Sequence, residues 1–334
     1  MAGSLSLGIE LLKYINTKEH FSFDIKTLAK TFNVLDLDLI NSINTIKALD
    51  DIIDYDSNSH SLCLKRELDF IDKALLNEKV SGKGRILLVD TIDSTNTHLL
   101  SLKNNVANGD CLIAEIQTKG RGRYDHIWFS SIASSLTLSV GFLFKKLEDT
   151  MGLSIVSAIT LCHMLCDFGI DALVKWPNDI YVNDKKISGI LIESVPRKKD
   201  VLFIIGIGLN IYKGSFKDTL NATAFECEME KKGQSLVTKS AQILNRTLIT
   251  ASLITRLRHY VSRFEQEGMG FFIKEWRKYD YLLGKYIVIA DGAITYEGIV
   301  LGISNLGYLQ IRDIKGHAIE IKAGHILFIK DKNA

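Results

Sequence analysis

Gln117-Thr118-Lys119-Gly120-Arg121-Gly122-Arg123-Tyr124-Asp125-His126-Ile127-Trp128 is the stretch around which this chain is organised. Two glycines alternate with two arginines, between a strand-like run ending at Ile116 and an aromatic anchor at Trp128. Glycine lets backbone N–H groups approach a ligand closely, and arginine brings a fixed, planar positive charge to the same place. The pattern suits a phosphate or a carboxylate. Taken alone it describes a solvated basic hairpin tip equally well.

Working outward, residues 85–89 read as a strand, and Asp93-Ser94-Thr95-Asn96 supplies helix-start chemistry ahead of Leu99 and Leu100. Ser94 and Thr95 either cap that helix or face a ligand at the strand–helix corner. Beyond the loop, residues 135–144 read as a strand and 153–168 as a strongly apolar helix. Cys162, His163 and Cys166 share a turn of that helix, but without carboxylate support such a trio is core filling rather than a metal site.

Residues 173–194 read as strand, Pro177-Asn178-Asp179 corner, strand, Asn183-Asp184 turn, strand. Asn178 and Asp179 can offer an amide and a carboxylate inward, suited to a purine edge and to a metal or hydroxyl network. Lys186 is either a point charge on a rigid strand or an exposed hairpin lysine. Residues 201–210 form a buried strand interrupted by Gly206 and Gly208, where a ligand can lie against the backbone, and the run ends on Asn210. Amphipathic helices are expected over 237–264 and 271–283.

The flanks differ in character. Residues 5–15, 24–30 and 36–49 carry helical spacing, and 51–64 read as two strands about Asp56-Ser57-Asn58, giving a winged helix-turn-helix order over 1–66. Seven basic and nine acidic side chains leave this part at −2. Its third helix opens on Asp36 and Asp38, where phosphate contacts want cations, and Asn41, Ser42, Asn44, Thr45 and Lys47 remain as DNA-contact candidates. Residues 67–84, of mixed charge and ending Ser-Gly-Lys-Gly, are read as a linker. The compact unit spans 85–283. From 284 to 334 short strands at 287–290, 294–303, 308–312, 317–322 and 326–329 alternate with turns, as in a small antiparallel barrel, and show no catalytic cluster.

At 334 residues, 46% hydrophobic and 24% charged, the chain is ordinary globular material for two or three domains. A net charge of +2 does not advertise a nucleic-acid or membrane-surface protein, so anion binding must come from local clusters. Five scattered cysteines form neither a disulfide framework nor paired metal spacings, and the first residues lack signal-peptide character, so a cytoplasmic location without membrane attachment is expected.

Five ordered motifs, Asp93–Asn96, Gln117 with Gly120 to Arg123, Lys175 to Asp179, Lys186 to Leu191 and Gly206 to Asn210, together resemble the biotin protein ligase family over the whole chain. With its amino-terminal unit the chain resembles the bifunctional bacterial form, both ligase and biotin operon repressor. The resemblance implies an α/β multidomain architecture: a winged helix, a catalytic domain related to class II aminoacyl-tRNA synthetases and lipoate ligases, and an SH3-like barrel. It implies activation of biotin by MgATP to biotinyl-5′-adenylate, then transfer to a lysine of the biotin carboxyl carrier protein. It also implies ligand-promoted homodimerisation and operator DNA as a partner.

By position, Ser94, Thr95 and Gln117 would hold the biotin rings, and the backbone of Gly120, Arg121, Gly122, Gly189, Gly206 and Gly208 would line their slot. Arg121, Arg123 and Lys186 would neutralise the carboxylate and α-phosphate. Trp128, Asn178 and Asn210 would face the nucleotide, and Asp179 the Mg2+ or its network. After Arg123 the family usually continues Arg-Gly-Arg, whereas here Tyr124-Asp125-His126 removes three units of positive charge with His neutral. This loop is expected to hold an adenylate less tightly. A lipoate-type ligase, a ligase without DNA binding and a catalytically silent ligand-sensing regulator are the alternatives.

Overall fold

The computed structural model describes residues 2–18, 22–145, 147, 150–216, 221–233 and 245–330. Apolar residues three and four apart give helix α1 (Ala2–Asn16) a buried face of Leu5, Ile9, Leu12 and Ile15, which shares a core with Leu39, Ile43 and Ile46 of α3 (Asp36–Leu49). Between them β1 (Ser22–Asp24) leads into α2 (Ile25–Phe32), where the Asp24 carboxylate accepts from the Thr27 N–H at 2.8 Å and caps the helix. The hairpin of β2 (Ile53–Asp56) and β3 (Ser61–Leu64) thereby gains a third strand that the sequence reading lacks, in the order β1-β3-β2. Three residues are too few to show a period.

Residues 67–84 are not the linker that their charges suggested. They contain α4 (Lys73–Lys79), capped by Asp72, and bury Leu68, Ile71 and Leu76. Asp69 accepts from the Tyr212 hydroxyl and from the Arg246 N–H, each at 2.6 Å, which fastens the segment across the chain.

The central unit is a seven-stranded sheet flanked by helices. In chain order its elements are β4 (Ile86–Ile92), α5 (Thr95–Ser101), β5 (Cys111–Gln117), β6 (Ser135–Phe144), α6 (Thr150–Asp167), β7 (Leu173–Lys175), β8 (Asp179–Val182), β9 (Lys185–Pro196) and β10 (Val201–Asn210). Helices α7 (Phe225–Glu230), α8 (Arg246–Glu267) and α9 (Gly270–Tyr279) follow, and the strand order is β4-β5-β6-β10-β9-β8-β7. Part of the helix expected from 237 lies outside the described residues; α8 begins after Asn245, whose side chain accepts from the Leu248 N–H.

Side chains alternate between the two faces of a strand. Leu136, Leu138, Val140 and Phe142 of β6, with Phe203, Ile205 and Ile207 of β10, enter the main core with α6 and α8. The other face of β10 carries Leu202 and Ile204, which pack with Leu99 of α5, and then Gly206 and Gly208. Apolar cover therefore stops where the glycines begin.

Strands β11 (Tyr286–Asp291), β12 (Ile294–Ile303), β13 (Leu309–Arg312), β14 (Ala318–Ile321) and β15 (His325–Lys330) form a five-stranded antiparallel sheet in the order β14-β13-β12-β11-β15. Ile287, Ile289, Val300, Leu309 and Ile311 join the main core, and the buried Trp176 indole N–H donates to the Gly307 carbonyl at 3.1 Å. Among the described residues no helix is long and apolar enough to cross a membrane.

Candidate active site

The register of three strands makes the floor of a cleft. Gly208 of β10 faces Gly189 of β9 on one side and Thr137 of β6 on the other, and Gly206 faces Leu191 and Ser139. Paired residues project to one face, so these two rows present glycines, hydroxyls and a single leucine instead of the bulky side chains found elsewhere on the sheet. A Cβ on Gly206 would stand 2.3 Å from Asn96 Oδ1, and one on Gly208 2.2 Å from Trp128 Cε2. Both glycines are there to admit neighbours that a side chain would displace.

Ser94, Thr95 and Gln117 stand together at one wall. Thr95 donates to Gln117 Oε1 through its backbone N–H at 2.8 Å and its hydroxyl at 3.1 Å, and Ser139 Oγ donates to Thr95 Oγ1 at 2.6 Å. Ser94 caps α5, accepting from the Thr97 N–H at 3.4 Å, and lines the cleft as well.

The glycine/arginine stretch is a hairpin lying across the cleft. Trp128 N–H donates to the Gly120 carbonyl at 2.9 Å and Gly122 N–H to the His126 carbonyl at 2.7 Å. The left-handed residue at its tip is Tyr124, with φ 53°, and not Gly120 or Gly122. Gly120 serves close approach instead: a Cβ there would lie 2.3 Å from the Trp128 carbonyl oxygen, and the residue does not line the cleft.

Two further candidate residues have partners within the chain. Arg121 lines the cleft, but its guanidinium is held by both oxygens of Glu193 at 2.8 Å, so much of its charge is already answered. Asn210 is buried and spends its amide on the Thr223 carbonyl at 3.0 Å, away from the cleft lining. A buried amide at a strand end reads the same in sequence whichever way it turns.

The cations meet at the corner formed by Trp176, Pro177 and Asn178. Lys186 is paired with Asp179 at 2.8 Å, and its backbone is braced by N–H donation to Asn221 O and acceptance from the Thr223 N–H. Arg123 donates to Asn178 Oδ1 at 3.3 Å, while Asn178 Nδ2 donates to the Ile190 carbonyl at 2.9 Å. Lys175 also lines the cleft. Burial lowers its pKa below the ordinary lysine value, with the Lys186 charge adding to the effect and Asp179 opposing it.

The cleft, about 190 Å³, thus gathers Ser94, Thr95, Gln117, Arg121, Gly122, Arg123, Trp128, Asn178, Asp179, Lys186, Gly189, Gly206 and Gly208. Sequence reading missed Asn96, whose amide donates to Glu193 at 2.8 Å, as well as Lys175, Tyr124, His126 and, from the carboxy-terminal sheet, His325. Asn96 and Lys175 stood inside quoted motifs; His325 carried no local signal.

The other candidates lie elsewhere. Cys162 is buried, with its thiol pKa pushed up, and His163 sits between the Tyr260 hydroxyl at 2.5 Å and Glu275 at 3.0 Å. Among the described residues no group of three or more His, Cys, Asp or Glu could hold a metal ion. In α3, Ser42 is fully buried against α1 and Thr45 hydrogen-bonds Ser4, which removes Ser42 from the DNA-contact candidates; Asn41, Asn44 and Lys47 are exposed on one face.

Residues 88–210 match the model of the biotin/lipoate A/B protein ligase family. The bifunctional ligase/repressor BirA of Salmonella typhimurium is 33% identical over 255 residues, covering 74% of this chain and 75% of that protein. BirA of Escherichia coli is 33% identical over 247 residues, covering 71% and 73%. The biotin protein ligase of Aquifex aeolicus, solved with biotin and ATP, superposes with a TM-score of 0.61 at 26% identity, over 74% of this chain and 99% of that one. The chain belongs to the biotin/lipoate A/B protein ligase family, among its biotin protein ligases.

Proposed function

We propose that this chain activates biotin with MgATP and transfers it to a lysine of a biotin carboxyl carrier protein. The observation that carries this reading is one cleft that brings the polar set Ser94, Thr95 and Gln117 together with Arg123, Lys175 and Lys186, over strands that carry Gly189, Gly206 and Gly208. The ureido ring of biotin suits Ser94, Thr95 and Gln117 as polar contacts, its sulfur ring the Trp128 side of the cleft, and its carboxylate the cations.

A biotin carboxylate oxygen attacks the α-phosphorus, the bond to the β-phosphate oxygen breaks and pyrophosphate leaves. A lysine amine then attacks the acyl carbon and AMP departs. Carboxylate and phosphate are both anions, so their approach is governed by alignment and charge, which Lys186, Arg123 and Lys175 supply. Trp128 and Asn178 would flank the nucleotide. Asp179 is a single carboxylate already paired with Lys186, a donor set that fits Mg2+ held chiefly through phosphates and water. When bound, the ion would supply further charge neutralisation at the phosphates.

Biotin-dependent exchange of labelled pyrophosphate into ATP tests the reading. Exchange with lipoate in place of biotin would turn it to the lipoate-type alternative, and no exchange with either acid would leave a ligand sensor.

We also assign residues 1–66 to a winged helix-turn-helix, 67–84 to its packed connection, 85–283 to the catalytic domain and 284–334 to an SH3-like barrel. The names of the BirA relatives favour a repressor role, exercised in the cytoplasm on operator DNA by a ligand-promoted dimer. Asn41, Asn44 and Lys47 are the exposed candidates for DNA contact. A gel shift of biotin-gene promoter DNA with biotin and ATP present supports this role, and its absence leaves a ligase alone.

A further inference from the structure

Arg123 is held by its chain neighbour Tyr124. One guanidinium nitrogen donates to the Tyr124 hydroxyl at 3.2 Å, and the guanidinium lies 4.9 Å from the Tyr124 ring centroid. The other terminal nitrogen donates to Asn178 on the rigid Pro177 corner. Arg123 is thus suspended between a fixed support and the tip of its own loop.

Tyr124 is 55% exposed and needs a support in turn. His325, the first residue of β15, meets its ring edge-on, with centroids 6.1 Å apart and planes at 75°, and His126 lies 6.2 Å from His325. His325 stands on firm backbone. It pairs with Ala290 of β11, and the preceding Gly324 runs so close to that strand that a Cβ would sit 2.8 Å from Ile289 and 2.9 Å from the Ala290 carbonyl. The left-handed conformation of Tyr124 turns its ring toward these partners at a backbone cost that a non-glycine residue normally avoids.

We infer that Tyr124 and His325 are positioning residues for Arg123, through which the carboxy-terminal sheet sets the geometry of adenylate formation. The inference rests on the ligase reading above. Arginine at 124 would repel Arg123, whereas tyrosine accepts a hydrogen bond from it and offers a π face.

The test is a double-mutant cycle in the full chain, read by biotin-dependent ATP/pyrophosphate exchange with kcat and the KM values for ATP and biotin separated. Tyr124→Ala and His325→Ala should each lower kcat about tenfold, the scale expected when a charged group is misplaced by a fraction of an ångström. The KM for biotin should move little. His325→Phe, which keeps a ring, should restore most of the loss. In an Arg123→Ala background neither alanine substitution should cost more than about twofold, because contacts in one network are not additive. Equal losses in both backgrounds, or His325→Phe as damaging as His325→Ala, would overturn the inference while wild-type exchange kept the ligase reading standing. An inactive wild type would remove the ligase reading, and this inference with it.

Discussion

Trp128 and Gly208 share one space: the indole lies where a side chain on Gly208 would be, 2.2 Å from the position of its Cβ. The buried indole N–H has no hydrogen-bond partner among the described residues, and the ring is seated by its fit on the strand floor with Lys186 Nζ 5.8 Å from its centroid. The hairpin closes over the strand floor only because that floor is glycine.

Gly208→Ala is therefore expected to push the indole and its hairpin outward. Overpacking of this kind costs about 1–3 kcal/mol, so biotin affinity should fall by about tenfold or more. The thermal midpoint should change much less, since the hairpin lies outside the main core. Titration calorimetry with biotin beside a melting curve checks both.

Lys186→Ala is expected to cause the largest single loss of adenylation. Loss of one preorganised donor to a developing anion costs about 3–4 kcal/mol, or a factor of about 10²–10³ in kcat. Asp179→Asn should cost less, because it frees the lysine without removing it. Exchange kinetics at saturating biotin and ATP rank the two, and the reverse order would refute the assignment.

Burial holds the pKa of Lys175 below its ordinary 10.5, and a bound polyphosphate raises it. Between the free and bound values ATP binding should take up a proton. The sign follows from linkage: the state with the higher pKa binds more protons in that window. Calorimetry in two buffers of different ionisation enthalpy should detect the uptake, and Lys175→Met should abolish it.

The Arg246–Glu115 ion pair is fully buried, and Glu115 also accepts the Ile71 N–H at 2.9 Å. Arg246→Met strands a carboxylate in the core and should cost about 3–5 kcal/mol, read as a lower urea midpoint. Adding Glu115→Gln should recover part of that loss, because the amide oxygen still accepts from Ile71. A double variant less stable than the single one would contradict this account.

Much of the molecule was legible without coordinates. The strands at 135–144 and 201–210, the corner at 177–179 and the glycines at 206 and 208 follow from period-two apolar runs broken by residues with strong backbone preferences. That Ser94, Thr95, Gln117, Arg123 and Lys186 line one cleft was readable because each falls inside a short motif of fixed spacing.

Tertiary structure decided what spacing cannot encode. Gly120 tolerates no Cβ because of Trp128, Arg121 is claimed by Glu193 seventy-two residues away, and Asn210 turns inward to Thr223. Residues 67–84 look like a linker until Asp69 finds Tyr212 and Arg246. His325 enters the site only because the last strand pairs with β11 and brings that sheet beside the hairpin. A local pattern fixes backbone preference and which side of an element is apolar. It says nothing of which distant charge or ring will arrive to meet a polar side chain, because that depends on how the sheets pack.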